Sequence, residues 1–137
     1  MDLLAGRPEP QNGALDSPNM RAIKEAFRAS VEDGFEAGLE ALLTLSHADC
    51  EFHPYIGDHP LRGHEAIRAY YREAIAAGTD MRLRPTQFHE AGDEVVVDGT
   101  MRVGRPAGGF SESQISWTYR FRDGLLATAG AGPRRTV

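Results

Sequence analysis

Apolar positions follow two regimes along this chain, helical spacing up to about residue 77 and alternation from about residue 80 onward. Ser17 followed by Pro18 predicts a helix start: the hydroxyl can cap, and proline loses nothing at a position whose N–H has no helical partner. Met20, Ile23, Phe27 and Val31 then recur on one helical face. Gly34 breaks the helix, and Phe35, Leu39, Leu42 and Leu43 carry a second one to about Ser46. Asp49 to Tyr55 reads as a short strand, with Cys50 and Phe52 alternating against Glu51, His53 and Tyr55, and with Pro54 ending it or placing it at an edge. Ile56 to Gly63 reads as a loop. In His64 to Ala77 the residues Ile67, Tyr70, Tyr71, Ala74 and Ile75 give the clearest helical stripe, closed by Gly78.

Beyond Asp80 the expected strands are Met81 to Glu90, Glu94 to Gly104, Ser111 to Arg122 and Leu125 to Gly130. They are joined by Ala91-Gly92-Asp93, by Arg105 to Gly109 and by Asp123-Gly124, all turn formers. Val95, Val97, Met101 and Val103 share one face, as do Ile115, Trp117, Tyr119 and Phe121, the latter set opposed by Ser116, Thr118, Arg120 and Arg122. Such amphipathic strands predict a one-sided sheet with helices over its apolar face, hence an α+β domain. Met1 to Ser17, with Pro8, Pro10, Gly6 and Gly13 and no apolar period, reads as a flexible arm; residues 18–132 read as the folded domain and 133–137 as a short tail.

Composition narrows the partners. A net charge of −5, with arginines spread singly, argues against a nucleic-acid binder. No apolar run approaches the roughly 20 residues of a membrane helix, and the first residues lack the basic and apolar regions of a signal peptide; the expectation is a cytoplasmic protein without membrane partners. Cys50 is the only cysteine, so neither an intrachain disulfide nor a cysteine-based zinc cluster can form. His47, His53, His59, His64 and His89 match no ligand spacing, and no metal is expected. The GRPAGG stretch of Gly104 to Gly109 lacks the following helix and Lys-Ser/Thr of a phosphate loop and reads as a strand connection.

The run ADCEFHPYIGDHPLRGHEAIRAYYREA, with AGDEVVVDG and SWTYRFRDG in the strands, resembles the SnoaL-like, ketosteroid-isomerase-like proteins of the nuclear transport factor 2-like superfamily, over about Asn19 to Gly132. That resemblance implies a cone-like, curved antiparallel sheet packed against the N-terminal helices and a third helix, enclosing a pocket. The superfamily holds isomerases, polyketide cyclases, dehydratases and epoxide hydrolases beside members that only bind or dimerise, so the fold alone fixes no activity. In ketosteroid isomerases an aspartate base precedes a proline in the short strand; the matching dipeptide here is His53-Pro54. The two oxyanion donors of that pattern match Phe27 and Trp117, neither able to replace them, which argues against steroid isomerisation by that machinery.

The resemblance makes His53 the candidate acid–base residue, expected to face the interior on the same side as Tyr55, with Glu51 as its orienting group. Phe27, Tyr55, Tyr70, Tyr71, Ile115, Trp117 and Tyr119 are the expected pocket-lining residues. The functional expectation is a pocket protein for a small hydrophobic or polycyclic molecule, with an isomerase, cyclase or dehydratase activity that needs no cofactor. The alternative is a non-catalytic ligand-binding or dimerisation module of the same fold. A homodimer is expected through the outer face of the sheet, where Val96 and Met81 are the apolar residues singled out and Arg120 and Arg122 would reach Glu94 or Asp98 of a partner.

Overall fold

A computed structural model of the chain describes residues 16–55 and 59–133. Most of the expected arm and tail, and the first three residues of the expected loop, lie outside the described residues. The first helix, α1 (Pro18–Asp33), starts at the predicted cap: the Ser17 side-chain oxygen accepts the Met20 N–H at 3.0 Å. Gly34, at φ +105°, takes a conformation that side chains disfavour and turns the chain into α2 (Phe35–Thr44). The two helices touch backbone to backbone at Gly38, where an added Cβ would lie 2.5 Å from the Ser30 Cβ and 2.9 Å from the Ala26 carbonyl oxygen. The last turn of α1 thus directs Ser30 toward α2. Val31, expected on the apolar face, lies away from that contact and is 58% exposed.

The Ser46 hydroxyl donates to the Leu42 carbonyl at 2.7 Å, and the chain enters β1 (Ser46–His53) three residues earlier than its apolar alternation suggested. β1 ends just before Pro54, as expected. It is not the sheet edge, because β2 (Leu61–Arg62), inside the expected loop, pairs with it through Glu51 and Phe52. Then come α3 (His64–Ala76), β3 (Asp80–Ala91), β4 (Glu94–Gly104), β5 (Phe110–Arg122) and β6 (Leu125–Pro133). The six-stranded sheet runs in the order β2-β1-β6-β5-β4-β3. β3 to β6 form the expected antiparallel meander, but β1 and β6 pair in parallel, so the sheet is mixed and not wholly antiparallel. The fourth strand of the meander arrives running the way β1 runs.

Curvature has an identifiable source. A bulge between Pro85 and Gln87 in β3 faces Gly99 of β4, where a Cβ would fall 2.2 Å from the Arg84 carbonyl oxygen. Only glycine lets the two backbones come this close, and the bulge bends the strand over the helices. Ile23, Leu43, Val95 and Leu126 are fully buried between helices and sheet and form the filled part of the interior. Toward the other end, where β3 begins and β4 finishes, the interior opens into a cavity. Met81 belongs to this inner face, paired with Val103, and not to the outer surface expected for it. Val96 does face outward, between the inward Val95 and Val97.

Candidate functional site

The cavity has a volume of about 370 Å³. Its floor is the concave side of the sheet, with Trp117 and Tyr119 on β5, Met101 and Val103 on β4, and Met81 and Leu83 on β3. Phe27 of α1 caps the aromatic pair edge-on, 5.2 Å from the Trp117 ring and 6.1 Å from the Tyr119 ring. From the other side α2 contributes Phe35 and Leu39, and α3 contributes Tyr70, Tyr71 and Ala74. Space exists because β6 sets small residues beside large ones. Ala129 pairs with Tyr119 and Ala131 with Trp117, so two inward positions that could hold bulky side chains hold methyl groups.

The walls are overwhelmingly apolar, and the polar groups among them are few. Tyr119 is 5% exposed and its hydroxyl forms no hydrogen bond with any described residue. Burial holds that hydroxyl far above the ordinary phenol range, with a further push from Tyr71. Burial likewise raises Tyr71, with a smaller contribution from Tyr70, and the Tyr71 hydroxyl also forms no hydrogen bond with a described residue. Its ring is fixed instead by Phe35 at 5.2 Å and by Tyr70 at 4.9 Å. Both phenols therefore stay protonated through the neutral range and are positioned as hydrogen-bond donors inside an apolar enclosure. Ser30, Tyr55, Tyr70, Thr79 and Arg105 complete the polar lining; no carboxylate or imidazole belongs to it among the described residues.

His53 does not face this interior. Its side chain is 53% exposed, on the outer side of the sheet, where Nε2 lies 3.1 Å from the Glu51 carboxylate. The neighbour that lines the cavity is Phe52. Placing His53 and Glu51 inside would strip a carboxylate of water, whereas the observed parity buries Cys50 and Phe52. Glu51 contacts the imidazole at the surface, but it also accepts from Arg62 at 2.8 Å, and the group is a surface cluster outside the cavity. Past Pro54 the alternation stops, which is how Tyr55 reaches the cavity rim, 37% exposed. Phe27, Tyr70, Tyr71, Trp117 and Tyr119 all line the cavity; Ile115 does not, being fully buried in the packed interior.

Three of the other histidines, His47, His64 and His89, serve local structure. His47 bonds the Arg122 carbonyl, His64 the His47 carbonyl, and His89 the Asp98 carboxylate. No group of three or more potential metal ligands occurs among the described residues. The sequence reading missed Phe52, legible from its alternation with Cys50, and the small residues of β6, whose meaning depends on pairing with β5. It also missed Arg105, for which no local signal exists.

A family model described as SnoaL-like domain matches residues 25–129. Among solved structures, a nuclear transport factor 2-like protein of unknown function from Burkholderia pseudomallei superposes with a TM-score of 0.72 at 25% identity, covering 85% of this chain and 90% of its own. TerC, co-crystallised with polyporic acid, gives 0.70 at 27% identity, covering 84% of this chain and 90% of its own. A Mycobacterium tuberculosis protein in complex with estradiol-17beta-hemisuccinate gives 0.68 at 21% identity, covering 85% and 93%. No curated protein matches the sequence.

Proposed function

The chain belongs to the SnoaL-like family, and from that premise we propose that it is a small-molecule-binding member whose cavity takes a flat, largely apolar ligand with a hydrogen-bond acceptor directed at Tyr71 and Tyr119. One observation carries this reading: two phenol hydroxyls line an apolar cavity of about 370 Å³ and have no hydrogen-bond partner among the described residues. A buried donor left unsatisfied costs about 1–3 kcal/mol, and an acceptor oxygen on a ligand would recover that cost. Flat aromatic walls at Phe27 and Trp117 suit a planar ring system. TerC, the relative solved with polyporic acid, adds support for a small-molecule occupant.

Binding is favoured over proton-transfer chemistry. A general base has to reach the substrate within hydrogen-bond distance, and His53, the candidate from sequence, stands outside the cavity. The same reading includes a second copy of the chain packed on the outer face of the sheet.

The test is a thermal-shift comparison of two matched compounds, acetylnaphthalene and ethylnaphthalene, on the unaltered protein and on Tyr119→Phe and His53→Ala. Both compounds should raise Tm, the ketone more, because a ligand that binds only the folded state stabilises it by mass action. Tyr119→Phe should abolish the advantage of the ketone, and His53→Ala should leave it unchanged. No shift with either compound, or an advantage lost on removing His53, would refute the reading.

A further inference from the structure

We infer that the ligand is an acid: an elongated apolar molecule carrying an anionic group that meets Arg105 at the mouth of the cavity. The inference rests on the pocket reading above and adds the charge of the ligand to it. The chain has 20 acidic and 15 basic residues, yet among the described residues the one charged side chain in the cavity lining is a cation. Arg105 is exposed and forms no ion pair with any described residue, whereas its neighbour Arg82 is held by Asp80 at 3.0 Å. Unpaired among the described residues, its guanidinium is suited to bidentate capture of a carboxylate or sulfonate.

The residue is also held in place. In the β4–β5 turn, the Arg105 N–H donates to the Gly109 carbonyl at 3.1 Å and the Gly108 N–H donates back to the Arg105 carbonyl at 3.0 Å. Gly108 and Gly109 adopt φ values of +100° and +82° that allow so tight a turn. The turn leans on the end of α3: an added Cβ at Gly78 would meet Pro106 at 3.1 Å. The glycine-rich stretch that is no phosphate loop therefore mounts one cation in a lining that also holds Thr79 and Tyr55. An apolar body in the cavity, an acceptor at the inner phenols and a charge at the rim together describe one amphiphilic anion.

Two fluorescent probes with a shared ring skeleton separate the claims: anionic anilinonaphthalene sulfonate and neutral N-phenylnaphthylamine, titrated into the full chain and into Arg105→Met and Arg105→Lys. Both probes should bind the unaltered protein and displace each other. Arg105→Met should weaken the sulfonate roughly five- to tenfold and remove most of its salt dependence, while Arg105→Lys retains much of both. The neutral probe should bind all three proteins alike. Equal sulfonate affinity in Arg105→Met, equal losses for both probes, or failure of the probes to compete would overturn the inference while the neutral probe still reports a working pocket. Binding of neither probe to the unaltered protein contradicts the pocket reading itself, and this inference with it.

Discussion

Tyr119 shows most clearly how one residue can be unfavourable for folding and useful for binding. Its ring packs against Phe27 and pairs with Val95 and Ala129 on the flanking strands, but its hydroxyl is carried into the interior with no described partner. Tyr119→Phe should therefore raise the ligand-free stability by about 1–3 kcal/mol, since the desolvated donor disappears and the ring remains. Urea unfolding checks this; a loss of more than about 1 kcal/mol would mean that the hydroxyl has a structural partner. Burial raises the phenol in the folded state above its unfolded value near 10. The unfolded chain then releases its proton first as pH rises, so the stability is fully present below about pH 10 and is lost progressively above it. Tyr119→Phe should flatten that alkaline decline, and an unchanged slope would show that Tyr119 does not set it.

At the scale of elements, the helical hairpin depends on one glycine. Gly38 lets α2 lie on α1 at Ser30 and Ala26, and Gly38→Ala would place a methyl within 2.9 Å of the Ala26 carbonyl oxygen. Overpacking of this kind should cost about 1–3 kcal/mol in urea unfolding; a neutral result would mean that the hairpin slides apart freely. The elements most legible in the sequence were those whose local pattern and tertiary role agree. The cap at Ser17, the break at Gly34 and the bounds of β4 all follow from short-range chemistry. β2 was not legible, because a two-residue strand exists only through its pairing with β1. Nor was the early start of β1, where Ser46 and His47 take part through a helix-end hydrogen bond and a reach to the Arg122 carbonyl. The direction of His53 was misread although the alternation itself was right. A strand buries its apolar parity, and Cys50 and Phe52 outweigh the expectation attached to a histidine before proline. Six of the seven cavity residues named from sequence line the cavity, since aromatic positions on inward faces are set by the same periodicity that sets the strands.

For the whole molecule, the outer face of the sheet is the surface left uncovered by helices. Across its centre run Val96, Ser116 and Thr118, whose side chains are short, and Gly130, which has none. The charges expected to reach across to a partner are engaged within the chain instead. Arg120 donates to Glu94 at 2.9 Å, and Asp98 accepts from Ser116 at 2.6 Å. The paired Arg120 and Glu94 cost less to cover with a second copy than separate charges would, while Asp98, held by a neutral hydroxyl, keeps its charge. The expected particle is a two-fold dimer, twice the 15.0 kDa chain mass by light scattering at micromolar concentration, with an interface of about 1,200–2,000 Å² in total. A mass equal to one chain would refute it. The cavity lies against the concave, helix-covered side of the sheet, opposite the face expected to meet a second copy.

The central claim, that the cavity is a ligand site, has a built-in reporter. Trp117 is the only tryptophan and lies on the cavity floor. Titrating the full chain with N-phenylnaphthylamine while exciting Trp117 measures occupancy directly, by loss of tryptophan emission and transfer to the probe. Saturable quenching at one probe per chain, reversed by an excess of unlabelled acetylnaphthalene, is the predicted result. Tryptophan emission that stays constant up to the solubility limit of the probe would contradict the account.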